Sequence, residues 1–245
     1  MTKLSVNVNK IALLRNSRGG QVPHVLQFSL DCLKSGADGI TIHPRPDQRH
    51  IRYSDAYELK AALTPLGVEL NIEGYPDERF LQMVLEVRPA QATLVPDKPG
   101  QLTSDHGWDC RHEEQFLSGV VARLKAAGIR VSLFLDPDPA QVPFAAATGC
   151  DRIELYTQAF AESYPGAQRD AVTAGYAATA AAAAAAGLGV NAGHDLSQEN
   201  LAYLVKRIPA IEEVSIGHAL VAEMLYQGME TTIRGYLKCL GRGGV

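Results

Sequence analysis

Cysteine is scarce and scattered in this chain of 245 residues: Cys32, Cys110, Cys150 and Cys239 stand far apart, and none forms a Cys-x-x-Cys pair. That spacing excludes a disulfide-built secreted scaffold and the usual zinc-finger arrangements, and it predicts reduced, partly buried thiols. A long hydrophobic run is also missing. The longest apolar stretch, residues 177–186, is almost entirely alanine. It is too short and too weakly hydrophobic to cross a bilayer, which takes about 20 apolar residues. The opening MTKLSVNVNK holds no apolar segment of signal-peptide length. Excess positive charge is absent as well: 23 Lys and Arg against 27 Asp and Glu give a formal net charge of −4. A general nucleic-acid or polyanion binder is therefore not expected. These absences predict a cytoplasmic protein with neither membrane nor nucleic-acid partners. Small phosphorylated ligands remain open, because local donors and not net charge hold them.

What is present is alternation. Short aliphatic or β-branched runs recur at residues 4–8, 39–43, 68–72, 92–95, 131–135, 152–155, 188–191 and 213–216. Most are nearly continuously apolar, the pattern of strands buried on both faces. Helical patterns lie between them at residues 22–34, 54–63, 77–87, 112–127, 176–186 and 197–207. Several have a capping residue at the start, Ser54 among them, or a glycine or proline stop. Strand–helix alternation predicts parallel pairing through right-handed crossovers. Eight units predict closure into a single-domain (β/α)8 TIM barrel over residues 1–245, with an open doubly wound sheet as the alternative. The alanine-rich stretch reads as helix, not linker, since alanine is the best helix former. Residues 96–109 form the longest irregular segment, which is read as a functional loop or lid after the fourth strand.

In a parallel barrel the chemistry sits at the carboxyl ends of the strands. There the sequence supplies a polar ring: Asn7 and Asn9, His43 with Arg45 and His50, Glu73, Thr103 in the long loop, Glu154, Asn191 with His194, and Gly217-His218. Histidine exchanges protons near neutral pH, and a buried glutamate can be tuned into that range. No His-x-His or His-x-x-x-His spacing occurs, so a metal site is not expected. Lys10 and Lys98 lie near strand ends but inside no strand, which disfavours an enzyme imine. Ala192-Gly193 and Gly217 fall where barrels often hold phosphate on backbone amides, and Arg45 and Arg18 add charge. Each glycine is equally compatible with a plain tight turn. The segment Asn16-Ser17-Arg18-Gly19-Gly20 is equally compatible with a solvated loop.

The ordered strings VNVNKIALLRNSRG, ADGITIHPRPDQRHI, LNIE, LVPDK, VSLFLD, IELYT, VNAGHDL and SIGHAL run along nearly the whole chain. Together they resemble the pyridoxine 5′-phosphate synthase (PdxJ) family of vitamin B6 biosynthesis. The resemblance implies a (β/α)8 barrel that acts as a transferase and forms a homo-octamer. It condenses 1-deoxy-D-xylulose 5-phosphate with 3-amino-2-oxopropyl phosphate and needs neither organic cofactor nor metal. His43 and Glu73 fall at the family's proton acceptors and His194 at its proton donor. Asn7, Gly217 and His218 match contacts to the amino-ketone phosphate. Arg45, His50 and Thr103 match contacts to the deoxyxylulose phosphate. Arg18 matches a further substrate-binding arginine, and Glu154 another acidic residue of the site. The chain departs from the common pattern at Asn9 and Lys10, where Asp-His is usual. It departs again at Asp195, where glycine is usual, and at Tyr156, where histidine is usual. Lys10 is read as a cation for a phosphate or carbonyl oxygen. Asp195 is read as binding through its backbone N–H with its side chain turned away. Without the resemblance, two other readings stay open: another phosphosugar barrel, such as an epimerase or aldolase, or a barrel that only binds a phosphorylated ligand.

Overall fold

A computed structural model of the chain describes residues 1–97, 100–101 and 104–243. Its first half runs β1 (Lys3–Asn7), α1 (Asn9–Asn16), α2 (Val25–Lys34), β2 (Gly39–Ile42), α3 (Tyr53–Leu63), β3 (Glu69–Gly74), α4 (Glu78–Val87), β4 (Gln91–Leu94) and α5 (Cys110–Ala126). The second half runs β5 (Arg130–Leu135), α6 (Val142–Ala147), β6 (Arg152–Tyr156), α7 (Gln158–Ser163), α8 (Arg169–Ala185), β7 (Gly189–Gly193), α9 (Leu201–Arg207), β8 (Ile211–Ile216), α10 (His218–Gln227) and α11 (Met229–Cys239). The strands close in sequence order, β1 to β8 and back to β1, and every pair is parallel. This is the (β/α)8 barrel that the alternation predicts.

The strands are not apolar on both faces. One set of alternating side chains, including Leu4, Val6, Ile40, Ile42, Leu70 and Ile72, is fully buried in the apolar core beneath the helices. The other set is mostly polar and points into the barrel, where hydrogen bonds link neighbouring strands and strands further apart. Thr93 of β4 reaches Glu154 Oε2 of β6 at 3.5 Å, and Arg130 Nη2 of β5 donates to Glu69 Oε2 of β3 at 2.6 Å. Between these, Ser5 and Thr41 share a hydrogen bond of 2.7 Å, and Thr93 Oγ1 donates to Asn71 Oδ1 at 3.0 Å. The N-terminal end of the barrel is closed by charged bridges. Arg130 joins Glu69 and Gln91 there, and Arg152 Nη1 donates to Asn191 Oδ1 at 2.9 Å. The carboxyl end is left for a cavity.

Two local expectations change. Ser54 does not cap α3. Instead the Asp55 carboxylate accepts the backbone N–H of Arg52 at 2.7 Å, which meets the same need for an orphan donor at a helix start. The five helices α1, α6, α7, α10 and α11 are absent from the sequence pattern. Three of them, α1, α6 and α7, have no more than 8 residues, too short for a clear apolar period. The alanine-rich segment is helical, as read. In α8 the Tyr176 hydroxyl donates to the Tyr156 carbonyl at 2.7 Å and docks the helix on β6.

Candidate active site

The carboxyl ends of the strands surround a cavity of about 600 Å³. Asn7, Asn9 and Lys10 enter it from β1 and the first turn of α1. His43, Arg45 and His50 come from the end of β2 and the segment after it, Glu73 from β3 and Glu154 from β6. The ends of β7 and β8 add His194, Asp195, Gly217 and His218. Arg18 is exposed in the turn after α1 and stands outside this lining. Thr103 and Lys98 lie outside the described residues.

The first wall is built from backbone locks. Asn7 Oδ1 accepts the N–H of Asn9 at 3.0 Å, and Asn7 Nδ2 donates to Glu73 Oε2 at 3.4 Å. Asn9 Oδ1 in turn accepts the N–H of His43 at 2.9 Å. Asn9 therefore fixes the position of a histidine, a task that needs an acceptor and no acid or base. A second lock sits behind it. Arg15 is buried and grips Asp55 with two hydrogen bonds of 2.6 and 2.9 Å. Asn16 Nδ2 reaches the carbonyls of Arg49 and His50 at 3.1 and 2.7 Å. Helix α1 thus holds the segment that carries His50.

His43 Nδ1 stands 3.9 Å from Glu73 Oε2, with both side chains nearly buried. Burial holds the His43 pKa well below the usual imidazole value, and the charge of Arg45 adds to the effect. Burial drives Glu73 the other way, well above the carboxylate range, reinforced by Glu154 and Asp97. Both shifts favour the uncharged form of each partner, imidazole and carboxylic acid. Glu154 is pushed up to about 8 by burial first and by Glu213 second. His50 falls to about 4 through burial and then the nearby arginines. Its Nδ1 also accepts the N–H of Ile51 at 2.9 Å, which requires that nitrogen to stay unprotonated.

Arg45 is buried and already engaged. Its Nη2 donates to Asp97 Oδ2 at 2.6 Å and its Nη1 to the Gln101 carbonyl at 3.0 Å, while Ser104 Oγ donates to the same Asp97 oxygen at 2.9 Å. Asp97 therefore ties Ser104 of the same long loop to the segment after β2 that carries Arg45. At β7 the glycine makes room for a neighbour: a Cβ on Gly193 would lie 2.4 Å from Glu154 Oε1. On Gly217 it would meet Asn7 at 3.1 Å.

A family model described as "Pyridoxal phosphate biosynthesis protein PdxJ" matches residues 4–242. The chain belongs to the PdxJ family. It is 52% identical over 240 residues to the pyridoxine 5′-phosphate synthase of Bacteroides thetaiotaomicron, covering 98% of this chain and 100% of that one. It is 55% identical over 236 residues to the enzyme of that name from Porphyromonas gingivalis, covering 96% and 98%. Among solved structures, phosphoribosyl anthranilate isomerase from Thermotoga maritima superposes with a TM-score of 0.60 at 15% identity, covering 98% of this chain and 100% of that one. The tryptophan synthase structure from M. tuberculosis gives 0.64 at 13% identity, covering 99% and 94%. At such identities the two structures share the fold alone.

Within this PdxJ chain, the unusual residues occupy defined places. Asn9 locks β1 to β2, and Lys10 lines the cavity from α1. Tyr156 sets its ring edge-on to His194, with centroids 4.9 Å apart. The Asp195 side chain turns to its neighbour. Its Oδ2 lies 2.9 Å from His194 Nδ1. The residues that sequence reasoning missed are mostly supports: Arg15, Asn16, Asp55 and Asp97. No local pattern gives their tasks, because these partners lie between 32 and 52 residues away in the chain.

Proposed function

We propose that this chain is a pyridoxine 5′-phosphate synthase. It condenses 1-deoxy-D-xylulose 5-phosphate with 3-amino-2-oxopropyl phosphate to give pyridoxine 5′-phosphate, inorganic phosphate and water. The observation that carries the reading is the convergence of His43, Glu73 and His194 on one cavity in a chain of this family. The substrates supply both amine and carbonyl, so the chemistry calls for protons moved at several points and for no enzyme lysine. Each well-placed acid or base contributes about 10²–10⁴-fold.

His43 is assigned as the first proton acceptor, a role supported by its neutral ring. Glu73 is assigned as a second proton acceptor, and burial raises its affinity for a proton. His194 is assigned as the donor across the cavity, and Glu154 as a second buried acid. Asn7, Gly217 and His218 are assigned to the amino-ketone phosphate, with His218 opening α10. Arg45 and His50, with Thr103, are assigned to the deoxyxylulose phosphate, and Lys10 to an anionic oxygen. Closing the long loop would exclude water from imine and enamine intermediates. The reading requires no organic cofactor and no metal.

The proposed assembly is a homo-octamer in the cytoplasm. Leu13 and Leu14 on α1 and Leu225 and Tyr226 on α10 are exposed large apolar side chains, and these two helices touch. Exposed apolar side chains of this kind suit contact with another copy. No helix among the described residues is long and apolar enough to cross a membrane. The deciding experiment mixes purified protein with both substrates and follows pyridoxine 5′-phosphate. Product at a rate dependent on both is expected; no product from protein that binds both would remove the reading.

A further inference from the structure

We propose that Asp195 is a positioning residue for His194: its carboxylate holds the Nδ1–H of that ring and so commits Nε2 to proton exchange in the cavity. The inference rests on the assignment of His194 as proton donor and adds a residue that need not touch substrate.

The geometry is specific. Asp195 Oδ2 and His194 Nδ1 are 2.9 Å apart. A carboxylate oxygen can only accept, so the ring nitrogen facing it must carry hydrogen. An imidazole held this way keeps its Nδ1–H, so proton gain and loss are directed to Nε2, as a general acid or base requires. The contact is made at a conformational cost. His194 and Asp195 are consecutive non-glycine residues with φ of +88° and +57°. The left-handed region disfavours side chains, aspartate less than most. A glycine would occupy this turn without strain, but it would supply no acceptor.

The turn is held from outside. The Thr157 hydroxyl donates to the Gly193 carbonyl at 2.8 Å and also reaches that of His194. Asn200 Nδ2 donates to the Asp195 carbonyl at 3.2 Å, and Asn200 Oδ1 accepts the N–H of Ser197 at 2.9 Å. Tyr156 meets the histidine ring edge-on and limits its rotation. The side chains of His194 and Asp195 are 22% and 42% exposed. A pair this open contributes little to stability, so its consequence is orientation. The hydrogen bond from His194 holds the Asp195 carboxyl below its usual range, against the opposing effect of burial. It therefore remains an acceptor throughout the neutral range.

The test compares wild type, Asp195→Asn, Asp195→Gly and His194→Ala. Two readouts are used: steady-state kinetics with both substrates, and ¹⁵N NMR of the His194 ring, which reports the tautomer without turnover. In wild type the ring signals should show hydrogen on Nδ1. In Asp195→Gly they should shift toward a mixture, with kcat down by about 10–100-fold, as for other histidines that lose a carboxylate partner, and KM nearly unchanged. Asp195→Asn keeps an acceptor and should fall between. Asp195→Gly should melt no lower than wild type, since glycine accepts the backbone angle. Unchanged ring signals, or wild-type kcat in Asp195→Gly, would overturn the inference, as would a melting loss large enough to explain the lower rate. If His194→Ala is inactive while Asp195→Gly is normal, only this inference fails. If His194→Ala turns over normally, the donor assignment fails and takes the inference with it.

Discussion

His43 and Glu73 face each other at 3.9 Å from neighbouring strands, the imidazole pKa held low and the carboxyl pKa held high. Both shifts follow from burial, which penalises whichever form is charged. The pair is therefore shifted in opposite senses, each toward its uncharged form. His43→Ala and Glu73→Gln should each lower kcat by about 10²–10⁴-fold with the fold intact. Circular dichroism and the rate of pyridoxine 5′-phosphate formation check this; a folded variant within a fewfold of wild type would remove that residue from the chemistry.

Glu154 gives a stability prediction with a definite sign. Its folded pKa is about 8, above the ordinary 4.5. Below pH 4.5 both the folded and unfolded states hold the proton. Between pH 4.5 and about 8 only the folded state does, and it pays a growing penalty relative to an unfolded chain free to ionise. Glu154→Gln removes that penalty. The variant should gain stability over wild type as pH rises through this window, with no gain below it. Urea melts at pH 4, 6 and 8 measure the difference, and a gain independent of pH would contradict the buried-acid state.

His50 works in the opposite direction. Its folded pKa is about 4, below the ordinary 6.5, so the unfolded chain takes up a proton first as pH falls. Stability should drop between pH 6.5 and 4, by at most about 1.4 kcal/mol per pH unit from this group. His50→Asn should flatten part of that drop; His43 supplies another part. Parallel slopes for variant and wild type would refute the assignment.

Arg15 and Asp55 form a buried, two-bonded ion pair beneath the segment that carries His50. Removing one partner strands the other charge, at a cost of about 3–5 kcal/mol. Arg15→Met should show this loss in chemical denaturation. Arg15→Met with Asp55→Leu should recover part of it, because no buried charge is then left alone. Failure of the double variant to recover would place the effect in the helix-start hydrogen bond of Asp55 instead.

The amino-acid sequence by itself determined the barrel. Eight apolar runs alternating with helical patterns leave few ways to bury those runs, and the strand ends then collect His43, Glu73, Glu154, His194 and Gly217-His218 on one rim. The family strings, too, are linear and legible. Only the tertiary structure decided what each of these groups can do. Whether Glu154 is an acid near pH 8 depends on its burial in the barrel and then on Glu213 from another strand, and Gly193 is small because Glu154 lies against it. Whether Asp195 turns away or toward His194 depends on a turn held by Thr157 and Asn200. Whether Asn9 does chemistry or holds a backbone depends on where β2 ends beside it. Hydrogen-bond partners and desolvation arise from segments far apart in the chain. A periodic pattern records which face of an element is apolar; it does not record what lies opposite a polar residue.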